Sequence, residues 1–186
     1  MALSAPKDVK VDDFFKNPVP QQFAEMIKGK DLSVMKGKDF SLQFDIGGKK
    51  YCMLIKDGTN LKVVEGGVDK PMICILLSEP DWRKAVTGEA EGVIDNFSDP
   101  GQMTSLDKYN TLLSTKGKLN VDLDGGKMKF SMVFNGETVP EGTMKLSLAD
   151  WVAVQKKATN GQNLFMSGQL SIDGDMMFLM SLNNLL

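Results

Sequence analysis

The chain writes one short unit twice: Ser78-x-x-Asp81-Trp82 returns 69 residues later as Ser147-x-x-Asp150-Trp151, each time directly after a strand-like run. In both copies a serine hydroxyl is placed to cap a backbone N–H of a new helix, and a carboxylate three residues on sits in its first turn. Strand hairpins repeat as well. Leu42–Lys49 resembles Leu119–Lys127, and Gly117–Asp122 resembles Gly168–Asp173, so the central hairpin matches both the opening and the closing one. This predicts duplication, with overlapping units of about 39–136 and 117–186 that share their middle and lie in one continuous sheet. The alternative, convergence on a common hairpin pattern, predicts the same strands.

Periodicity supplies the elements. Val19, Phe23, Met26 and Ile27 fall on one helical face ending at Gly29, with a shorter helical piece before it, so residues 11–29 form a helical N-terminal segment. Phe40, Leu42, Phe44 and Ile46 then alternate with polar residues, and Gly47-Gly48 turns into a second strand at Lys49. Leu61–Glu65 and the continuous apolar run Met72–Leu77 are further strands. Ala90, Val93, Ile94 and Phe97 form a helical stripe broken by Ser98–Gly101. Thr104–Asp107 caps another, carrying Met103, Leu106, Tyr109 and Leu113. Lys118–Leu123 and Met128–Phe134 form the central hairpin, and Trp151, Val154 and Ala158 are the apolar stripe of the second capped helix. The expected last two strands are Gln169–Asp173 and Asp175–Leu182. In the final one Met176, Phe178, Met180 and Leu182 share a face and Met177 and Leu179 the other, so both sides need cover, from core, a lipid cavity or a dimer interface.

Composition removes function classes. With 186 residues the chain makes one ordinary domain or two small ones, large enough to hide roughly 70% of its unfolded surface, so its two cysteines are not a disulfide framework. The complete lack of histidine excludes Ser-His-Asp and Cys-His catalysis and imidazole-bound zinc. A formal charge of −2 with interspersed signs offers no phosphate-neutralising face, so no nucleic acid is expected as a partner. The opening residues have no apolar leader, and no apolar run approaches the roughly 20 residues that span a bilayer, so a soluble, cytoplasmic protein is expected. Methionine is the one excess: 13 flexible thioethers suit an irregular core or a cavity accepting several ligand shapes.

Residues 147–182 resemble the sterol-carrier-protein type-2 lipid-binding domains. The match is carried by Ser147-x-x-Asp150-Trp151 and by Phe165-Met166-x-Gly168-x-Leu170-x-Ile172-x-Gly174-x-Met176. Phe40–Gly58 and Pro71–Gly88 follow that family's opening only in outline. The resemblance implies an α+β fold: a five-stranded mixed, largely antiparallel sheet, helices on one face, and an apolar tunnel between them that holds sterols, fatty acids, acyl-CoA or phospholipids without covalent chemistry. This chain departs from the pattern in its length, in the added segment Gly117–Gly142, and in its end, Asn184-Leu185-Leu186, which is not a peroxisomal Ser-Lys-Leu signal.

The expectation is therefore a single non-catalytic domain over 1–186 that carries an apolar ligand, a fatty acid, acyl-CoA or sterol. Its candidate ligand-binding residues are Trp151, Phe165, Met166, Met176, Phe178, Met180, Phe130 and Met132. Phe165 and Met166 are nominated through the resemblance, which puts them at a helix-to-strand junction near the tunnel. For each of them, and for Trp151, plain core packing is the competing role. No cofactor or metal is expected; the partners are the lipid and, through the closing strand, a second copy. The alternative is an accessory or oligomerisation domain with a filled core. Cys52 and Cys74 read as small buried hydrophobes with raised thiol pKa. Asp122, Asp124, Asp173 and Asp175 read as turn residues. Lys49, Lys50, Lys127 and Lys129 are the groups that would meet a ligand phosphate.

Overall fold

Alternation of apolar and polar side chains at period two turns one face of a strand to the core, as in Gly117–Leu123, while the continuous apolar run Ile73–Leu77 carries buried residues on both faces. The fold is described from a computed structural model, for residues 4–94 and 106–185. The strands are β1 Asp39–Ile46, β2 Lys49–Lys56, β3 Asn60–Glu65, β4 Ile73–Leu77, β5 Gly117–Leu123, β6 Met128–Phe134, β7 Glu141–Leu146 and β8 Ser171–Gly174. They form one mixed, mostly antiparallel sheet in the order β3-β2-β1-β4-β6-β5-β7-β8. The sheet has eight strands where the resemblance implies five; two of them, β5 and β6, come from the added segment and stand between β4 and β7.

The repeat is visible as topology. β1 pairs antiparallel with β2 and parallel with β4, and β4 runs into the capped helix α3, Glu79–Val86. In the same way β5 pairs antiparallel with β6 and parallel with β7, and β7 runs into α5, Leu148–Gln155. The caps match atom for atom. Ser78 Oγ accepts the Asp81 N–H at 3.2 Å and donates to Asp81 Oδ2 at 2.8 Å, while Ser147 Oγ accepts the Asp150 N–H at 3.0 Å and donates to Asp150 Oδ2 at 2.7 Å. Antiparallel pairing of β4 with β6 joins the two units.

One face of the sheet carries the core. A cross-strand row runs Tyr51, Phe44, Ile75, Met132, Leu119, Gly142 and Gly174 from β2 to β8. Helices cover this face. Phe14 and Phe15 of α1, Val11–Lys16, join it: Phe15 stacks on Tyr51 at 4.4 Å and Phe14 meets Trp82 of α3 edge-on at 5.4 Å. α2, Pro18–Ile27, follows with Val19, Phe23 and Met26 buried, as its spacing predicts. Trp151 of α5 stands edge-on to Phe130 at 5.4 Å. The opposite face is mixed. It holds the ladder Ser131, Asn120, Glu141 and Lys118, in which the hydrogen bond from Asn120 and then Lys118 keep the Glu141 carboxyl below its ordinary value.

α4, Leu106–Ser114, has no buried residue, and Leu106 and Leu113 of its expected stripe are exposed. Phe97, Met103, the break at 98–101 and the cap residues at 104–105 lie outside the described residues.

The expected final strand is a correction. Asp175–Leu182 is not extended: after the short β8 the chain forms α7, Met176–Ser181, continued by a 3₁₀ turn at Leu182–Asn184. The Asp175 carboxylate accepts the Phe178 N–H at 2.8 Å and caps the helix, a local bond that an alternation count ignores. A run of five apolar residues carries no period of its own, so the cap decides. α7 sits on glycines. A Cβ at Gly142 would fall 2.6 Å from Leu179 Cδ2, and one at Gly117 2.9 Å from the Phe178 ring.

Two outcomes follow from this packing. Gly142→Ala overpacks the α7 seat and lowers unfolding stability by about 1–3 kcal/mol, read as a lower urea midpoint at unchanged m. The Tyr51 hydroxyl donates to Asp12 Oδ1; burial and then this carboxylate push the Tyr51 phenol up from 10.0. A raised phenol stabilises the folded state below its unfolded pKa, so stability falls as pH climbs past 10.0, and Tyr51→Phe removes that alkaline slope in thermal melts.

Candidate functional site

Where β7 and β8 end beneath the last two helices, the sheet's apolar face is not filled. β7 offers Met144 and β8 offers Ile172, direct neighbours in register on the core-facing side. Above them pass α6, Gly161–Met166, whose N-cap Asn160 accepts the Asn163 N–H at 2.8 Å, and α7. The two helices are separated by a tight turn at Gly168 and the β8 strand, and between them lies an apolar cavity of about 370 Å³. Its walls are Met144, Gly161, Gln162, Phe165, Met166, Leu170, Ile172, Met176, Leu179, Met180 and Asn183. The only polar side chains among them are the amides of Gln162 and Asn183. Among the described residues no ionisable group lines the space, and its two amides are able to orient a polar end.

The expected site residues divide between this cavity and the core. Phe165, Met166, Met176 and Met180 line it and are 47–78% exposed at its mouth. Phe130, Met132, Trp151 and Phe178 are buried away from it. The Trp151 indole N–H donates to the Val93 carbonyl at 2.9 Å, and Phe178 meets Phe134 edge-on at 6.4 Å. Met144, Leu170, Ile172, Leu179, Gln162 and Asn183 were not singled out by sequence reasoning. Leu170 and Ile172 stood inside the quoted motif, and cross-strand register with β7 is the signal that adds Met144. Gln162 and Asn183 gave no signal, since nothing in the pattern brings a helix start against the chain's last turn.

Three of the four candidate lysines pair with local carboxylates. Lys49 pairs with Asp12 at 3.8 Å, Lys50 with Asp45 at 3.9 Å and Lys129 with Asp122 at 3.2 Å, and the Lys127 carbonyl accepts from Lys84. Asp124 Oδ1 accepts the Leu148 N–H at 3.1 Å, joining the central turn to α5. Among the described residues no three His, Cys, Asp or Glu side chains gather as a metal site. Cys52 and Cys74 are buried on the sheet's other face, flanking Gln43 in adjacent strands. Gln43 Nε2 lies 3.5 Å from Cys74 Sγ, and its Oε1 accepts the Val68 N–H at 2.8 Å. Burial pushes the Cys52 thiol up to about 11 and raises that of Cys74.

Residues 96–186 match the model of the SCP-2 sterol transfer family. The resemblance read from the sequence is shown. The matched segment starts before α4 and includes every wall of the cavity. No curated protein matches the chain. Among solved structures, sterol carrier protein 2 from Yarrowia lipolytica in its apo form is similar at 18% identity, covering 52% of this chain and 85% of its own, with a TM-score of 0.35. Sterol carrier protein-2 like-3 from Aedes aegypti is similar at 12% identity, covering 91% and 93% of the two chains, with a TM-score of 0.24. The sec-alkyl sulfatase PisA1 is similar at 11% identity and a TM-score of 0.30; 97% of this chain covers 17% of that enzyme. Among the described residues no helix is long and apolar enough to cross a membrane.

Thiol burial gives a direct check. At pH 8 only about one Cys52 in a thousand would be thiolate in the folded state, so both cysteines resist a colorimetric thiol reagent until denaturant is added, after which two equivalents react. Rapid reaction of either thiol in native buffer would contradict the burial described.

Proposed function

We propose that the chain is a single lipid-carrier domain that holds one apolar ligand, an acyl chain or a sterol, in the cavity between the β7–β8 end of the sheet and the helices α6 and α7, without covalent chemistry. The observation that carries this reading is the apolar cavity of about 370 Å³, within the roughly 300–1,000 Å³ of small-molecule sites. The SCP-2 sterol transfer match across the residues that build it supports the same reading. Binding would come from burial of apolar ligand surface at about 25 cal/mol per Å², with Gln162 and Asn183 orienting the polar end. Methionine walls adapt in shape and a methylene is worth only roughly 1–3 kcal/mol, so selection among apolar ligands is weak.

A second reading, an accessory or oligomerisation domain, is favoured by one observation: Phe130, Met132, Trp151 and Phe178 form filled core. Native mass spectrometry of protein purified from its host, followed by displacement of a bound fluorescent fatty acid, separates the two. The carrier reading expects co-purified lipid, saturable displacement, and at least about a tenfold loss of affinity in Met176→Trp, whose indole would fill the mouth. No lipid and no saturable binding would leave the accessory reading standing.

A further inference from the structure

The sheet ends at β3, and the outer edge of that strand is unpaired. The Gly66 N–H donates to the Lys50 carbonyl at 2.8 Å, which fixes the phase of the β2–β3 ladder. Asn60, Lys62 and Val64 turn their backbone groups to β2, so the N–H and C=O groups of Leu61, Val63 and Glu65 point away from the sheet. Among the described residues none is bonded to those outward groups.

Beside this edge lies a cavity of about 270 Å³. Leu61 and Val63 wall it from the strand, Phe15 and Pro20 wall it from the corner between α1 and α2, and Tyr51, stacked on Phe15, completes it. Lys16 and Glu65 stand 4.0 Å apart at the Glu65 end. An unpaired edge beside an apolar cavity is the arrangement in which main-chain hydrogen bonds hold an extended peptide and a pocket reads its alternate side chains.

The opposite face of the edge indicates the charge of that peptide. Lys62 projects there, exposed and with no carboxylate paired to it among the described residues. A lysine on an edge discourages indiscriminate strand pairing, so an acidic strand is the one this edge selects. A second copy of the chain fits less well. The six residues of β3 make an edge roughly 20 Å long and about 10 Å thick, or roughly 200 Å², against the roughly 800 Å² that each partner of a stable dimer covers. The register that pairs the most free backbone groups, Val63 on Val63, also sets the two Lys62 side chains diagonal to each other, like charge beside like.

We propose that β3 accepts an extended peptide of alternating apolar and acidic residues as an antiparallel ninth strand, with an apolar side chain in the cavity and a carboxylate against Lys62. The surface lies at the far end of the sheet from the cavity under α6 and α7, and the proposal does not depend on the carrier reading.

The test is fluorescence anisotropy of the full chain with a fluorescein-labelled Phe-Glu-Phe-Glu-Phe peptide, for which saturable binding is expected. Methylating the backbone nitrogen of the central phenylalanine, which in an antiparallel ninth strand faces β3, should abolish binding, and methylating the glutamate nitrogens should not. Lys62→Glu should weaken binding about fivefold and strengthen binding of Phe-Lys-Phe-Lys-Phe, an exchange that a folding defect cannot produce. Val63→Pro removes an N–H that points away from β2 and leaves the sheet's own ladder intact, so it should abolish binding while the chain keeps a cooperative thermal transition. Both variants should bind the fluorescent fatty acid like wild type. No saturable binding by wild type, loss of binding on methylating the glutamates instead, unchanged affinity in Lys62→Glu, or a solution dimer that Val63→Pro dissociates would each overturn the proposal.

Discussion

Antiparallel pairing of β4 with β6 is the constraint on which the rest of the molecule depends. Each unit ends in a capped helix and presents a strand edge that cannot remain uncovered without inviting other chains. The ladder from Ile73–Phe134 to Leu77–Phe130 closes the two edges on each other and aligns the apolar sides of both units in one plane. Only then does a single helical layer, with Phe15, Trp82 and Trp151 at its base, have a continuous floor. The seam also separates roles. At the β3 end the floor is covered by α1 and α2, with Phe15 stacked on Tyr51; at the β8 end the cover is shorter, and space remains.

That space exists because of a geometric mismatch. Gly117 and Gly142 let α7 settle so closely that Phe178 and Leu179 touch strand backbone, anchoring one side of the helix deep in the core. Its other side is then held over Met144 and Ile172, with α6 as the opposite wall, and no larger side chain projects from the strands to fill the gap. The cavity and the outward methionines are two faces of one short helix: what is seated by glycine on one side is left exposed on the other.

Much of this was legible in the sequence. The serine caps are local, because a hydroxyl three residues before an N–H reaches it whatever the tertiary context, and both appear as their spacing predicts. Hairpins with one oily face were equally readable, since a period of two has a single structural meaning over seven or eight residues. The stretch from Met176 to Met180 was not, because a run without polar residues carries no period, and the deciding bond comes from Asp175 just before it. The placing of Phe178 in one space with Met176 and Met180 has the same reason: a strand puts the three on one face, whereas the helix turns Phe178 into the core and the methionines outward.

The sequence by itself determined the α+β class, the repeated strand–helix unit and the exclusion of histidine chemistry, because these depend on residue identity and spacing within a few positions. The shared hairpin already predicted one continuous sheet; only the tertiary structure decided that it has eight strands and that its seam is the pairing of β4 with β6. It also decided that some methionines are filled core, such as Met132, while Met144, Met176 and Met180 surround an open cavity. The physical reason is that packing is non-local. Whether a thioether meets another side chain or empty space depends on how near two distant elements can come, and here that approach is set by glycines on strands 34 or more residues away in the chain from the helix they receive.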